Sequence, residues 1–106
     1  GLCVRMANAA VARSGRRVDW VHMPVPRDRT DDAYFAPLAG LATGGTRVYL
    51  GLVHHSDGLA GARARIETAR RHLSGFGIAT ECGFGRRPPA QVPELLNLHR
   101  EALALL

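Results

Sequence analysis

The segment RVYLGLVHHSDGLAGARARIETARRHLSGFGIAT, residues 47–80, decides the fold. Its first seven residues, 47–53, form a continuous apolar run of the kind found in strands that are buried on both faces of a parallel sheet. Ser56-Asp57-Gly58 is a helix-start signal. Apolar residues then recur at helical spacing, at Ala62, Ile66, Ala69 and Leu73. Gly75 is expected to end this helix, and residues 76–80 form another short apolar strand. The segment therefore predicts a β-α-β unit.

The flanking sequence extends the same alternation. Residues 2–11 predict a helix, with Leu2, Met6, Ala9 and Ala10 at helical spacing. Residues 18–25 are rich in β-forming residues and predict a strand that stops at the prolines 24 and 26, because proline donates no ladder hydrogen bond. Residues 31–41 predict one or two short helical turns, after a cap at Thr30 or Asp31.

The last part of the chain predicts a closing helix. Pro93 suits the first turn of a helix, and the apolar stripe that follows is expected to consist of Leu95, Leu96, His99, Leu103 and Leu106. The predicted order is α-β-(α)-β-α-β-α, which indicates an α/β fold of parallel β/α units. Three strands are few for a complete fold of this kind, and the chain opens on Gly1 in helix-like sequence. We therefore expect residues 1–106 to form a single partial domain whose bare sheet edges favour association.

Composition narrows the range of partners. The chain has 106 residues, 46% of them apolar, and no run approaching the roughly 18 apolar residues of a membrane span, so no membrane partner is predicted. The net charge is +5, and all 14 basic residues are arginine, but they are scattered and accompanied by only six aromatic residues. This pattern is typical of a solvated surface, so no nucleic-acid partner is predicted. The spacing of Cys3 and Cys82 predicts no disulfide framework, and a reducing cytoplasm is expected.

Polar side chains follow each predicted strand at the same topological point. His22 ends the first strand, His54 and His55 follow the second, and Glu81 and Cys82 follow the third. The carboxyl ends of parallel strands share one rim, where β/α proteins build their sites. We therefore predict that these residues converge on one functional site.

Each candidate has a structural alternative. Cys82 is either a zinc thiolate ligand or a small buried residue, and a lone His22 is often a structural residue. One of His54 and His55 should face the site while the other anchors the loop. Arg86 and Arg87 either clamp an anionic substrate or lie on a solvated turn.

Other polar residues are predicted to be structural. Residues 27–32 are either a self-neutralising surface loop or a lid. His72 and His99 are predicted to be structural, and Cys3 is predicted to pack in the first helix.

Three motifs resemble a known family. The segments ECGFGRR, VYLGLVHHSDG and VDWVHMPVPRDRTDDAYFAPL are similar to the C-terminal barrel of cobalamin-independent methionine synthase and its smaller relatives, in the superfamily that includes uroporphyrinogen decarboxylase. The resemblance covers nearly the whole chain and implies the last three strands of a (β/α)8 TIM barrel. In the synthases, zinc holds homocysteine as a thiolate and a methyl-folate donates the methyl group.

The resemblance assigns roles to individual residues. Cys82 matches the last zinc ligand, and His54 or His55 stands where the family has a proton-handling histidine. His22 stands where the synthases have a glutamate, and the His-x-Cys pair that they use earlier in the barrel is not in this chain.

The function predicted is a part of a zinc-dependent methyltransferase with a small-molecule thiol substrate, inactive alone. The alternative is a non-catalytic subunit that assembles with another chain or with itself. An arginine-mediated binder of anionic partners is a third interpretation.

Overall fold

The computed structural model describes residues 1–81 and 84–106, in which strands and helices alternate along the chain. The three strands are Trp20–Pro24 (β1), Arg47–Val53 (β2) and Gly77–Thr80 (β3). The α-helices are Leu2–Arg13 (α1), Asp32–Phe35 (α2), Gly58–Arg70 (α3) and Val92–Leu103 (α4). Two 3-10 helices, Ala36–Gly40 and Pro89–Gln91, follow α2 and precede α4. The predicted order of elements is confirmed, although the first strand is three residues shorter than the predicted 18–25.

The three strands form one parallel sheet in the order β1-β2-β3. Met23 of β1 lies opposite Leu50 of β2, which in turn lies opposite Ile78 of β3. The register between β2 and β3 shifts after Leu50, so that Val53 pairs with Thr80. Each strand therefore lies beside the strand that precedes it in the chain, and the predicted α/β class with parallel β/α units is confirmed.

Side chains alternate between the two faces of the sheet, and only one face carries the core. On this core face, Met23, Val25, Val48, Leu50, Leu52 and Ile78 are all less than 10% exposed. They form one apolar cluster with residues from α1, α2, α3 and α4. The helices of the described residues therefore pack on the core face.

The opposite face, called the open face here, consists of Trp20, His22, Pro24, Arg47 and Tyr49. Trp20 is 61% exposed, and its ring meets that of Tyr49 edge-on at 6.3 Å between centroids. The prediction that residues 47–53 are buried on both faces is thus wrong for the first half of β2, because Arg47 is exposed and Tyr49 is half-buried. Parallel sheets are usually covered on both faces, so the open face is an exception.

The buried residues of α3 confirm its predicted apolar stripe, whereas those of α4 and α1 differ from the predicted stripes. In α3, the predicted residues Ala62, Ile66 and Ala69 are at most 1% exposed. In α4, Leu95 and Ala102 are fully buried, whereas Leu96, Leu103 and Leu106 are 45–57% exposed. The sequence offers two leucine stripes on α4, and the buried one contains Leu95 together with Leu98, Ala102 and Leu105, the last three of which contact the core cluster.

The first helix shows the same correction. Val4 and Ala7 are buried, but Leu2 and Met6 are each 63% exposed. Cys3 is exposed as well, so the prediction that it is a packing residue of the first helix is wrong. A narrow contact stripe of two residues holds α1 to the core, which leaves the face with Leu2 and Met6 in solvent.

The turns that lead into the strands share one backbone feature. Gly15, Gly44 and Gly75 have φ between +59° and +75°, a conformation that other residues adopt at a steric penalty. Each lies two to five residues before a strand. Gly75 was expected to stop α3, but that helix ends at Arg70, and Gly75 instead turns the chain into β3.

Candidate functional site

A polar cleft of about 520 Å³ lies at the carboxyl end of the sheet. Residues from the loops after all three strands line it: Arg27, Asp28, His54, Ser56, Glu81 and Arg87. Three of these, His54, Glu81 and Arg87, were predicted as site residues from the sequence. The cleft is within the range of about 300–1,000 Å³ that small-molecule sites occupy.

His54 is the buried centre of this cleft. Its side chain is 7% exposed, and its Nε2 lies 2.7 Å from the carbonyl oxygen of Val25. Because a carbonyl oxygen only accepts hydrogen bonds, Nε2 carries the proton and donates it. In the neutral ring the lone pair is then on Nδ1, which lies 3.7 Å from Oε2 of Glu81. The loop after β1 thus fixes the tautomer of His54 and orients Nδ1 toward an acid from the loop after β3.

His55 points elsewhere. Its Nε2 lies 2.6 Å from Oε2 of Glu94, in the first turn of α4, and its side chain is 29% exposed. The pair joins the loop after β2 to the closing helix. Of the two adjacent histidines, His54 therefore faces the cleft and His55 anchors the loop.

His22 reaches the same rim across the open face. Gly51 belongs to β2, the central strand of the sheet. A Cβ placed on Gly51 would be 2.7 Å from Nε2 of His22. The same point is 2.9 Å from the carbonyl oxygen of Thr80 and 3.1 Å from Cα of Glu81. The missing side chain of Gly51 therefore lets the imidazole of His22 approach the end of β3. Glu81 therefore lies close to His54 and, across Gly51, close to His22, which does not line the cleft itself.

The two neighbouring arginines differ in position. Arg87 is half-buried and lines the cleft, whereas Arg86 is exposed on the turn. Cys82, the predicted zinc ligand, lies outside the described residues. Its neighbour Glu81, 41% exposed, marks the point where the chain leaves β3.

The described residues do not by themselves make a zinc site. Among residues 1–81 and 84–106, no three His, Cys, Asp or Glu side chains are grouped closely enough to hold a metal ion. Catalytic zinc needs three protein ligands, and the described residues near the end of β3 that leads to Cys82, which are His22, His54 and Glu81, are not grouped as a metal site. The residues described here therefore do not fit a complete zinc centre.

A buried arginine that the sequence analysis missed supports the rim. Arg65 of α3 is fully buried, and its Nε donates to the carbonyl oxygen of Leu52 at 2.6 Å. Its Nη1 donates to the carbonyl oxygen of Arg27 at 2.9 Å. Nη1 and Nη2 also bind the two carboxylate oxygens of Asp57 at 2.7 and 2.8 Å. One side chain therefore fastens β2 and the loops after β1 and β2 to the same helix.

The signal for Arg65 was present in the sequence. It lies three residues after Ala62 and one before Ile66, so it falls on the apolar stripe of α3. An arginine on a buried stripe needs a partner, and Asp57, eight residues earlier, is that partner. The hydrogen bonds from Arg65 lower the pKa of Asp57 below its ordinary value, with smaller contributions from the charges of Arg65, His54 and Arg27.

The loop that carries Arg27 and Asp28 is ordered by local pairs. Arg29 contacts Asp31 through two hydrogen bonds, and Asp31 caps α2 by accepting from the backbone of Tyr34. The hydrogen bond from Arg29 lowers the pKa of Asp31 to about 2. This agrees with the self-neutralising surface loop expected for residues 27–32.

The two remaining histidines contact groups outside the cleft. Nε2 of His72 lies 2.8 Å from Asp32, and Nδ1 of His99 lies 2.8 Å from the carbonyl oxygen of Leu95. His99 also meets the ring of Phe84 edge-on. These contacts join elements of the fold, as expected for structural residues.

Comparisons with protein-family models, with curated proteins and with solved structures found no match to this chain. Among the described helices, none has the length and apolar character required to cross a bilayer.

Proposed function

We propose that this chain contributes the last three β/α units of a methionine-synthase-like (β/α)8 barrel, whose rim transfers a methyl group to a small-molecule thiol in the cytoplasm. The observation that carries the proposal is that His54 and Glu81 meet at the carboxyl ends of neighbouring parallel strands, with His22 of β1 close to the same end of β3. That end of the strands is where barrels of this class build their active sites.

The shape of the sheet supports a barrel. Its strands are parallel and in sequential order, and the described helices pack on the core face. In a (β/α)8 barrel the helices form the outer ring and the opposite face lines the interior. Trp20, His22 and Tyr49 would then be interior residues, which accounts for the large side chains on the open face.

The chemistry needs a proton acceptor at the rim. Transfer of a methyl group from a methyl-folate to a thiol forms an S–C bond, breaks an N–C bond and moves the thiol proton to the folate nitrogen. The Nδ1 atom of His54 is the group proposed to move that proton, because Nε2 is already committed to Val25. Glu81 would stabilise the imidazolium while the proton is held there.

Zinc is part of the proposal as a cofactor whose remaining ligands come from outside the described residues. Isothermal titration of the purified chain with Zn²⁺ tests this role, with Cys82→Ala as the variant. Cys3→Ala is the matched control, since Cys3 is an exposed thiol on α1 that does not line the rim cleft. We expect Cys82→Ala to weaken zinc binding at least about tenfold and Cys3→Ala to leave it unchanged. Equal zinc binding by the wild type and Cys82→Ala would refute the ligand role.

A second function, a non-catalytic subunit that assembles with another chain, is favoured by one observation. Trp20 is the only tryptophan, and its 61% exposure on the open face places a large apolar ring in solvent. Association over that face would bury Trp20 and shift its fluorescence to shorter wavelength.

Light scattering together with Trp20 emission, followed over concentration, distinguishes these functions. Assembly through the open face predicts a rise in mass that Trp20→Arg abolishes and Leu96→Arg, on the outer side of α4, does not. A monomer with solvent-exposed emission at all concentrations, alone and with candidate partner chains, would exclude the assembly function.

A further inference from the structure

We propose that the rim cleft contains an oxyanion-binding subsite, formed by Arg27, Ser56 and Arg87, for a carboxylate or phosphate group of a small molecule. This inference deepens the proposed function, since it names what one part of the same rim binds, but it requires no metal. Its three residues come from the loops after β1, β2 and β3, and all of them line the cleft of about 520 Å³.

A hydrogen bond to the backbone of Arg27 fixes the position of this residue. Its carbonyl oxygen accepts a hydrogen bond from the fully buried Arg65 at 2.9 Å, so the loop position is set by the core. Its Nη1 donates to Oγ of Ser56 at 3.0 Å, which directs the guanidinium across the mouth of the cleft. A guanidinium has five N–H donors, so further donors remain for a ligand. The Ser56 hydroxyl, having accepted from Arg27, still has its own proton to donate.

Arg87 reaches the cleft from the loop after β3. Its backbone N–H donates to the carbonyl oxygen of Phe84 at 3.0 Å, which closes the turn after β3. Its side chain is half-buried in the cleft wall, and within the described residues it has no ion-pair partner. Two guanidinium groups and one hydroxyl in the same cleft supply the hydrogen-bond donors that carboxylate and phosphate oxygens accept.

Two carboxylates in the same cleft restrict where the anion can sit. Asp28 follows Arg27, and Glu81 lies 3.7 Å from His54. An oxyanion is therefore expected beside the guanidinium groups and away from the carboxylates of Glu81 and Asp28. The remainder of the ligand then extends toward His54, the residue proposed to move the proton.

Isothermal titration calorimetry with two probes, inorganic phosphate and succinate, tests the subsite at constant ionic strength set with sodium chloride. We expect saturable binding of one or both probes, and the tighter probe identifies the preferred group. Arg27→Ala and Arg87→Ala should each weaken binding at least about tenfold, since each removes a charge-assisted contact. Arg86→Ala is the matched control, because it removes the same charge from the same turn outside the cleft, and it should bind as the wild type does.

Three results would overturn the proposal. They are the absence of saturable binding of both probes, an equal loss in Arg86→Ala and Arg87→Ala, and unchanged binding in both cleft variants. Unfolding midpoints of each variant show that the fold is intact. Cys82→Ala should bind the probes like the wild type, so failure of the zinc role and failure of the oxyanion subsite give different results.

Discussion

Arg65 holds both carboxylate oxygens of Asp57, at 2.7 and 2.8 Å, although its own side chain is completely buried in α3. The pair joins the loop after β2 to the helix that crosses back over the sheet. The same guanidinium also satisfies the carbonyl oxygens of Leu52 and Arg27. The rim loops are therefore fixed by a polar group inside the apolar layer.

Replacing Arg65 by methionine should destabilise the protein by about 3 kcal/mol, because it leaves one carboxylate and two carbonyl oxygens without their donor. Urea unfolding of the wild type and the variant measures the difference. Arg63→Met is the control, since Arg63 is exposed on the same helix, and its effect should stay within about 0.5 kcal/mol. Similar values for the two variants would show that the Arg65 pair contributes nothing.

Acid should weaken the Arg65–Asp57 pair in a defined direction. The pKa of Asp57 is lowered in the folded protein from its ordinary value of 3.8, so its contribution is complete above that pH and is lost as the pH falls through the folded pKa. Asp57→Asn should therefore be less stable than the wild type at neutral pH, and the gap should shrink as the pH falls below about 4.

The measurement is the unfolding free energy of both proteins as a function of pH. The difference between them is the informative quantity, because Asp31, with its pKa lowered to about 2 by Arg29, titrates in the same direction in both. A gap that is constant with pH would contradict the coupling.

Gly61→Ala should destabilise the protein, although alanine is favoured over glycine in helices by about 1 kcal/mol. A Cβ on Gly61 would lie 2.1 Å from Cγ of Asp57, inside the volume of the carboxylate that Arg65 holds. In an Asp57→Ala background that obstacle is gone, and the same substitution should stabilise by about 0.5–1 kcal/mol. A double-mutant cycle by chemical denaturation checks this reversal of sign.

Gly51→Ala should also destabilise, by about 1–3 kcal/mol, because its Cβ would meet the carbonyl oxygen of Thr80 at 2.9 Å as well as the ring of His22. His22→Ala should not rescue the variant, since the backbone contact remains. Gly45→Ala is the control: no atom lies within 4 Å of its added Cβ, and thermal unfolding should show little change.

Leu95→Ala and Leu96→Ala distinguish the two leucine stripes of α4. Leu95 is fully buried, so Leu95→Ala should lower the free energy of unfolding by about 2–5 kcal/mol. Leu96 is 57% exposed, so Leu96→Ala should lower it by about 0.5 kcal/mol or less. Equal losses in urea unfolding would mean that Leu96 also packs against apolar surface.

The sequence predicted what depends on local pattern. The bounds of β2 and the buried stripe of α3 followed from apolar periodicity, and the shared rim followed from the rule that parallel strands end on one side. His54 could not be chosen over His55 in advance, because that choice depends on Val25 and Glu94, which are 29 and 39 residues away in the chain.

The errors have a common physical origin. Leu96, Leu103 and Cys3 were assigned to packing because apolar residues at helical spacing usually face a core. Which of two apolar stripes is buried is decided by the partner surface, and a helix pattern contains no information about that surface. Arg65 was missed for the converse reason, since a charged residue was assumed to lie in solvent although Asp57 was available as a partner; its two carbonyl partners, in Leu52 and Arg27, are invisible in a sequence.

Because Arg65 grips the carbonyl oxygen of Arg27 rather than its side chain, any amino acid could occupy position 27 and keep the loop where it is. The reversals at the other end of the sheet, at Gly15, Gly44 and Gly75, are less permissive, since their backbone angles favour glycine. The side chain at position 27 can therefore vary with the ligand without loss of the contact that fixes its loop.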